Sequence, residues 1–184
     1  MKAVFETALA ELGSVGRRID EAAVEHACAM ISGANRIVLY GCGREGLQMR
    51  GLAMRLYHLG CDVAMQGDMA TPPVGQGDLF IASAGPGELA TVTALMRVAR
   101  DAGAEVLFLT AEPRAASAGL ADFVLEIPAQ TMARDQGDAA TSVLPMGSVF
   151  EGALFLLFEV MVLRLRDLMD VSAEDMRARH TNLE

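Results

Sequence analysis

The sequence predicts an α/β fold, a three-layer α/β/α sandwich around a five-stranded parallel sheet. Five short apolar runs alternate with segments of helical spacing. The runs are continuous rather than alternating in polarity, which is typical of strands covered on both faces. Two of the runs, at 37–40 and 79–82, end at glycine-rich turns that lead into helices. Open α/β sheets bind ligands beyond the carboxyl ends of their strands, so both turns are expected at the ligand edge.

The predicted elements follow one another without an internal repeat or a convincing linker. They are, in chain order, helices at 3–13 and 20–32, a strand at 37–40, a helix at 44–59, a strand at 62–65, a Gly- and Pro-rich loop at 67–78, a strand at 79–83, a helix at 88–102, a strand at 106–110, a short helix at 112–120, a strand at 123–127, a loop at 128–143, a helix at 148–169 and a last short helix that opens at Ser172. Together they predict a single domain over 1–184, with an N-terminal helical extension and a C-terminal helical tail.

Charge and composition exclude several function classes. The formal net charge of -9 gives no electrostatic footprint for nucleic acid or for an anionic membrane. The longest apolar run, within 152–163, is interrupted by Glu159 and is too short to span a bilayer. The three cysteines have no metal-type spacing, and no secretory segment is predicted. A cytoplasmic protein with reduced thiols is therefore expected.

The two glycine-rich turns predict an anion site. The first turn reads Gly41-Cys42-Gly43-Arg44-Glu45-Gly46, and the second reads Ser83-Ala84-Gly85-Pro86-Gly87-Glu88. Such turns leave backbone N–H groups free at the next helix N-terminus, where the helix dipole favours an anion. Two of them suggest one anion held from two sides, most simply the phosphate of a small metabolite.

Two alternatives to the phosphate interpretation stay open. The glycines at 41, 43 and 46 match G-x-G-x-x-G, which would suit an NAD(P) dehydrogenase. That fingerprint also needs an acid at the end of the next strand, whereas Asp62 stands at its beginning. Alternatively, the glycines only allow a helix to pack closely on a strand.

Three ionisable side chains are candidates for chemistry. Arg44 stands in the first turn of a helix, where a cation is disfavoured unless an anion is present. Ser148 and Glu151 fit a capping box, with Ser148 as the N-cap, but Glu151 could equally be a general base at the ligand edge. His180 is a terminal histidine. No His, Cys or Asp cluster has metal-ligand spacing, and no Ser lies in a nucleophile elbow.

These residues form a pattern that resembles the sugar isomerase (SIS) domain family and, within it, the 6-phospho-3-hexuloisomerases. The resemblance runs nearly end to end, and four blocks carry it: Gly41-x-Gly43-Arg44, Ala53-Met54-Arg55-Leu56-x-His58-Leu59-Gly60, Pro145-Met146-Gly147-Ser148-x-Phe150-Glu151 and Ala178-Arg179-His180-x-Asn182-Leu183-Glu184. It implies a flavodoxin-like sandwich, homo-oligomers that are commonly tetramers, active sites at subunit contacts and no metal or organic cofactor. It also implies that Glu151 and His180 are the acid/base groups and that Arg44 belongs to the substrate pocket.

The chain departs from the family pattern in both turns. Glu45 takes the serine position of G-x-G-R-S-G, and 83–88 replaces S-G-S-G-x-T, keeping only the leading Ser83. Pro86 has no N–H to offer, and a carboxylate at Glu88 would repel a phosphate. The residues expected to bind substrate are Gly43, Arg44, Glu45, Ser83, Gly85, Gly87, Glu88 and Ser148.

Three functions are compatible with these departures. The first is a divergent phosphosugar isomerase, most like one that interconverts 3-hexulose 6-phosphate and fructose 6-phosphate through an enediol. The second is an enzyme for a different sugar or sugar acid, with its anion elsewhere or absent. The third is a non-catalytic module that binds a sugar phosphate.

Overall fold

The fold was determined as a computed structural model that describes residues 1–183. Its strands are β1 (Ile37–Gly41), β2 (Val63–Met65), β3 (Leu79–Ser83), β4 (Glu105–Thr110) and β5 (Phe123–Glu126). Its α-helices are α1 (Lys2–Gly16), α2 (Glu21–Gly33), α3 (Gly43–Leu59), α4 (Ala90–Asp101), α5 (Ser148–Leu168) and α6 (Ala173–Ala178). Glu184, the last residue of the fourth resemblance block, lies outside the described residues.

The five strands form one parallel sheet in the order β2-β1-β3-β4-β5. The register pairs Leu39 with Ile81 and Ile81 with Leu107, so the central strands are aligned at their carboxyl ends. The order reverses between β1 and β3, and this switch point is where open α/β sheets place a ligand. The predicted α/β class and five-stranded parallel sheet are confirmed.

Both faces of the sheet are covered, which explains the continuous apolar runs. Residues such as Leu39, Ile81 and Leu107 pack into a core with α2, α3 and α5. Their neighbours in the strands, such as Phe80 and Phe108, point to the opposite face and pack with α4. A helix α1 lies outside this sandwich and packs on α5. Within the described chain, no helix combines the length and the apolar character needed to cross a bilayer.

Several predicted boundaries were wrong. The helix predicted from residue 88 begins at Ala90, because Leu89 is the extended N-cap and Glu88 remains exposed in the loop. The short helix predicted at 112–120 is a 3-10 turn confined to Ala116–Leu120. The predicted loop at 128–143 contains two further 3-10 turns. By contrast, Ser172 caps α6 as predicted, since its side chain accepts a hydrogen bond from the Asp175 amide.

The close contact between α3 and β1 depends on Gly41 and Gly46. A Cβ added at Gly46 would lie 2.5 Å from the carbonyl oxygen of Gly41, which is backbone and cannot move away cheaply. A Cβ at Gly41 would meet the Gly46 nitrogen at 3.1 Å. These two glycines of the G-x-G-x-x-G match therefore have a packing role, which brings the first turn of α3 against the carboxyl end of the sheet.

We predict that Gly46→Ala lowers the free energy of unfolding by about 1–3 kcal/mol, because the added methyl group overlaps backbone. Gly51→Ala on the same helix is the matched control. A Cβ at Gly51 meets no atom within 4 Å, and alanine is the better helix former, so this variant should be neutral or stabilising by up to about 1 kcal/mol. Urea unfolding measures both, and equal effects would contradict the close contact.

Candidate active site

A cavity of about 270 Å³ lies at the switch point of the sheet, between the N-termini of α3 and α5. Its walls combine the first glycine-rich turn, part of the second, and two loops around α5. The lining residues are Cys42, Gly43, Arg44, Glu45, Pro86, Leu89, Thr131, Met132, Met146, Gly147, Phe150 and Glu151. The cavity thus brings together Gly43, Arg44, Glu45 and Glu151, four of the predicted site residues.

Arg44 is held against the start of α5. Its Nη2 lies 2.9 Å from Glu151 Oε2 and donates to the Met146 carbonyl at 2.8 Å, and its Nη1 donates to Ser148 Oγ at 3.1 Å. Arg44 is a cation at a helix N-terminus, a position that disfavours positive charge. Within this chain, the Glu151 carboxylate is the anion that offsets it. About half of the Arg44 side chain remains exposed, so it can also contact a ligand.

Glu151 lies in the first turn of α5, which begins after Gly147 and not after the predicted capping residue Ser148. The N-cap of α5 is Gly147, whose φ of 78° is left-handed, so the prediction of Ser148 as N-cap was wrong. Ser148 is the first helical residue, and its hydroxyl donates to the Pro145 carbonyl at 2.6 Å. Burial raises the pKa of Glu151, while the Arg44 guanidinium lowers it in part. The carboxylate is mostly shielded but lines the cavity.

The Glu45 side chain points toward the end of β3 and makes no ion pair with Arg44, which is paired with Glu151. Its carboxylate accepts a hydrogen bond from Ser83 Oγ at 2.5 Å and from the Gly85 N–H at 3.1 Å. Burial raises the pKa of Glu45, the bonds from Ser83 and Gly85 lower it in part, and the negative charge of Glu151 raises it further. The side chain predicted to touch substrate is therefore bound to the second glycine-rich turn.

The remaining predicted residues of the second turn do not line the cavity. Ser83, Gly85 and Gly87 are buried behind it, and Glu88 is exposed to solvent. Gly87 has φ +87°, and a Cβ there would lie 2.6 Å from the Glu112 side chain. These glycines shape the loop, and Pro86 is the residue of 83–88 that reaches the cavity wall.

His180 lies at the opposite end of α3 from Arg44. Its ring stacks on the ring of His58 with centroids 5.3 Å apart, and Arg179 donates to the His58 carbonyl at 3.1 Å. His58 follows Arg44 by 14 positions, which corresponds to about 21 Å of helix at about 1.5 Å per residue. Within one chain, the geometry does not bring His180 to Glu151.

Sequence reasoning missed the wall formed by Thr131, Met132 and Met146. Thr131 is 2% exposed, and its Oγ1 is one of the buried polar atoms without a hydrogen-bond partner among the described residues. Nothing in the pattern around 128–143 signalled it, because the segment has no regular periodicity. Across residues 1–183, no group of three or more His, Cys, Asp or Glu side chains is arranged to hold a metal.

Comparison with known proteins assigns the family. A family model described as "SIS domain" matches residues 30–157, which run from the end of α2 into α5 and include the cavity. The chain belongs to the SIS domain family. The matched range covers both glycine-rich turns and Glu151, so the SIS domain contains all the lining residues of the cavity.

Relatives of this SIS domain include proteins named as isomerases. A protein of Mycobacterium gastri named "3-hexulose-6-phosphate isomerase" is 36% identical over 174 residues, covering 95% of this chain and 86% of the relative. One of Bacillus subtilis with the same name is 32% identical over 154 residues, covering 84% and 83%. A solved structure from Methanococcus jannaschii, 22% identical, superposes with a TM-score of 0.84 over 98% of both chains and supports the fold.

We predict that Glu45→Gln, which keeps the shape but removes the charge, changes how stability depends on pH. Because the folded-state pKa of Glu45 is raised, its protonated form favours folding at low pH, and that contribution is lost as pH rises above the ordinary value of 4.5. The wild type should therefore lose stability relative to Glu45→Gln as pH rises from 4.5 toward neutrality. Urea unfolding of both proteins across this range measures the difference. A pH-independent difference would contradict the prediction.

Proposed function

We propose that this SIS domain is an isomerase that interconverts 3-hexulose 6-phosphate and fructose 6-phosphate. The observation that carries the proposal is the Arg44–Glu151 pair, which places a shielded carboxylate and a cation on one cavity at the ligand edge. The names of the Mycobacterium and Bacillus relatives, which cover most of this chain, support the substrate and the reaction. A small sugar phosphate is accordingly the partner of the site.

The reaction moves a carbonyl group to the neighbouring carbon, and Glu151 supplies the base. Glu151 takes the proton from the carbon beside the carbonyl, and after exchange with solvent the same carboxyl group delivers a proton to the adjacent carbon of the enediol. Burial raises the pKa of Glu151, which makes its carboxylate a stronger base. Arg44, 2.9 Å away, keeps that carboxylate oriented and stabilises negative charge that develops on the substrate oxygen.

His180 of a neighbouring copy is the proposed second group, moving protons between the substrate oxygens. Within one chain it lies at the far end of α3, so an active site at a subunit contact is the arrangement that brings it to Glu151. Apolar side chains on α1 and α5 support self-association: Phe5, Leu9, Phe155 and Leu163 are each more than half exposed. We propose a cytoplasmic homotetramer of single-domain chains spanning 1–184.

Glu151→Gln should lower kcat for 3-hexulose 6-phosphate by about 100-fold or more, because the amide cannot accept the proton. Glu159→Gln, two turns further along α5, is the matched control. It removes a surface ion pair with Arg55 and should leave kcat within about twofold. Product formation measured at saturating substrate separates the two variants. Full activity of Glu151→Gln would remove this residue from the mechanism.

Mixing two inactive variants tests the shared site. If Glu151 and His180 of different copies form one site, Glu151→Gln and His180→Gln should each be inactive alone. Refolding them together creates sites in which both residues are intact, so activity should return. The comparison uses each variant refolded alone at the same total concentration. Normal activity of His180→Gln alone, or no recovery on mixing, would refute a role for His180 from a neighbouring copy.

A further inference from the structure

The backbone N–H groups at positions 84, 85 and 87 of the second glycine-rich turn are already used. The Ala84 N–H donates to the Leu109 carbonyl, the Gly87 N–H donates to the Ala84 carbonyl, and Pro86 has no N–H. The remaining donor, the Gly85 N–H, binds the Glu45 carboxylate together with the Ser83 hydroxyl. The loop at 83–87 therefore holds an anion, and that anion belongs to the chain itself.

The Glu45 carboxylate occupies the space next to Gly85 that a second anion would need. A Cβ added at Gly85 would already lie 3.2 Å from Glu45 Oε1 and 2.9 Å from the Phe150 ring. Removing the carboxylate from the loop would leave Ser83, which is fully buried, without this partner. The ionisable groups that line the cavity are Arg44, Glu45, Glu151 and Cys42, so two carboxylates face one strong cation, and that cation is paired with Glu151.

A different polar group in the same cavity has no partner among the described residues. Thr131 lines the cavity wall beside Met132 and Gly147. Its Oγ1 is buried and makes no hydrogen bond among the described residues. A buried hydroxyl without a partner costs stability, and such groups in folded proteins are few. A ligand oxygen in the cavity would satisfy it.

We infer that the cavity binds its substrate through a sugar hydroxyl on Thr131, and that Glu45 excludes the substrate's phosphate from the loop at 83–87. The inference deepens the proposed function, because it rests on a sugar phosphate entering this cavity. The uncharged part of the sugar faces the turn that carries Pro86. The phosphate lies away from Ser83 and Gly85, toward the first amides of α3, which have no acceptor within the helix.

Titration calorimetry with inorganic phosphate tests the exclusion by Glu45. Glu45→Ser empties the loop, so Ser83 and Gly85 become available, and phosphate should bind about tenfold tighter or more than to the wild type. Glu45→Gln removes the charge but still fills the loop and should gain much less. Glu105→Gln, an exposed acid at the opposite end of the sheet, controls for net charge. No gain for Glu45→Ser, or an equal gain for Glu45→Gln, would overturn the exclusion.

A measurement on the wild type covers the case in which Glu45→Ser does not fold. Wild-type crystals soaked in phosphate should retain Glu45 on Ser83 and Gly85, with no phosphate within hydrogen-bond distance of the Gly85 nitrogen. Phosphate bound to that nitrogen would overturn the inference. Neither experiment requires turnover, so their outcome is independent of whether the chain proves to be an isomerase.

Thr131→Val tests the hydroxyl contact, since valine keeps the shape and removes the oxygen. Fructose 6-phosphate should bind about three- to tenfold more weakly, while the free protein should be as stable as the wild type or more stable. Thr131→Ser should restore binding, and the affinity for inorganic phosphate should not change in either variant. Unchanged affinity for fructose 6-phosphate in Thr131→Val would refute the contact. A loss confined to inorganic phosphate would show that Thr131 binds the anion instead.

Discussion

The absence of a side chain at Gly46 is the constraint on which the site depends. It lets the first turn of α3 approach the Gly41 carbonyl so closely that no Cβ fits between them. At that distance two consecutive side chains reach different partners. Arg44 extends to Glu151 at the start of α5, and Glu45 extends to Ser83 and Gly85 at the end of β3. The first turn of α3 thus contacts both α5 and the end of β3 around one cavity. The position of this turn sets where the two carboxylates lie relative to a ligand.

The cavity is built from charges that are balanced internally. Arg44 offsets Glu151, and the Glu45 carboxylate is satisfied by a hydroxyl and an amide while burial raises its pKa. Two acids near each other in a shielded cavity suit proton transfer. The chain thus keeps the SIS fold with a cavity whose charges are paired within the chain.

The sheet could be predicted from the sequence because buried parallel strands leave continuous apolar runs such as Leu79–Ser83. The contacts of the site could not. Ser148 looked like an N-cap because serine is a good one, but Gly147 adopts the left-handed conformation and takes that position. Glu45 was expected to bind substrate, and its contact with Ser83, 38 positions away, depends on how α3 packs against the sheet. Thr131 lies in a segment without periodicity, so its burial depends entirely on tertiary packing.

We propose that this cavity moves a proton between adjacent carbons of a ketose through an enediol. The most direct test is to run the reaction in deuterium oxide and examine the product fructose 6-phosphate by NMR. Because the base exchanges its proton with solvent, deuterium should appear at C3, the carbon that receives the proton, above the level of an enzyme-free control. Turnover that leaves C3 without deuterium would contradict a base that exchanges its proton with solvent, and the absence of any turnover would contradict an isomerase acting on this substrate.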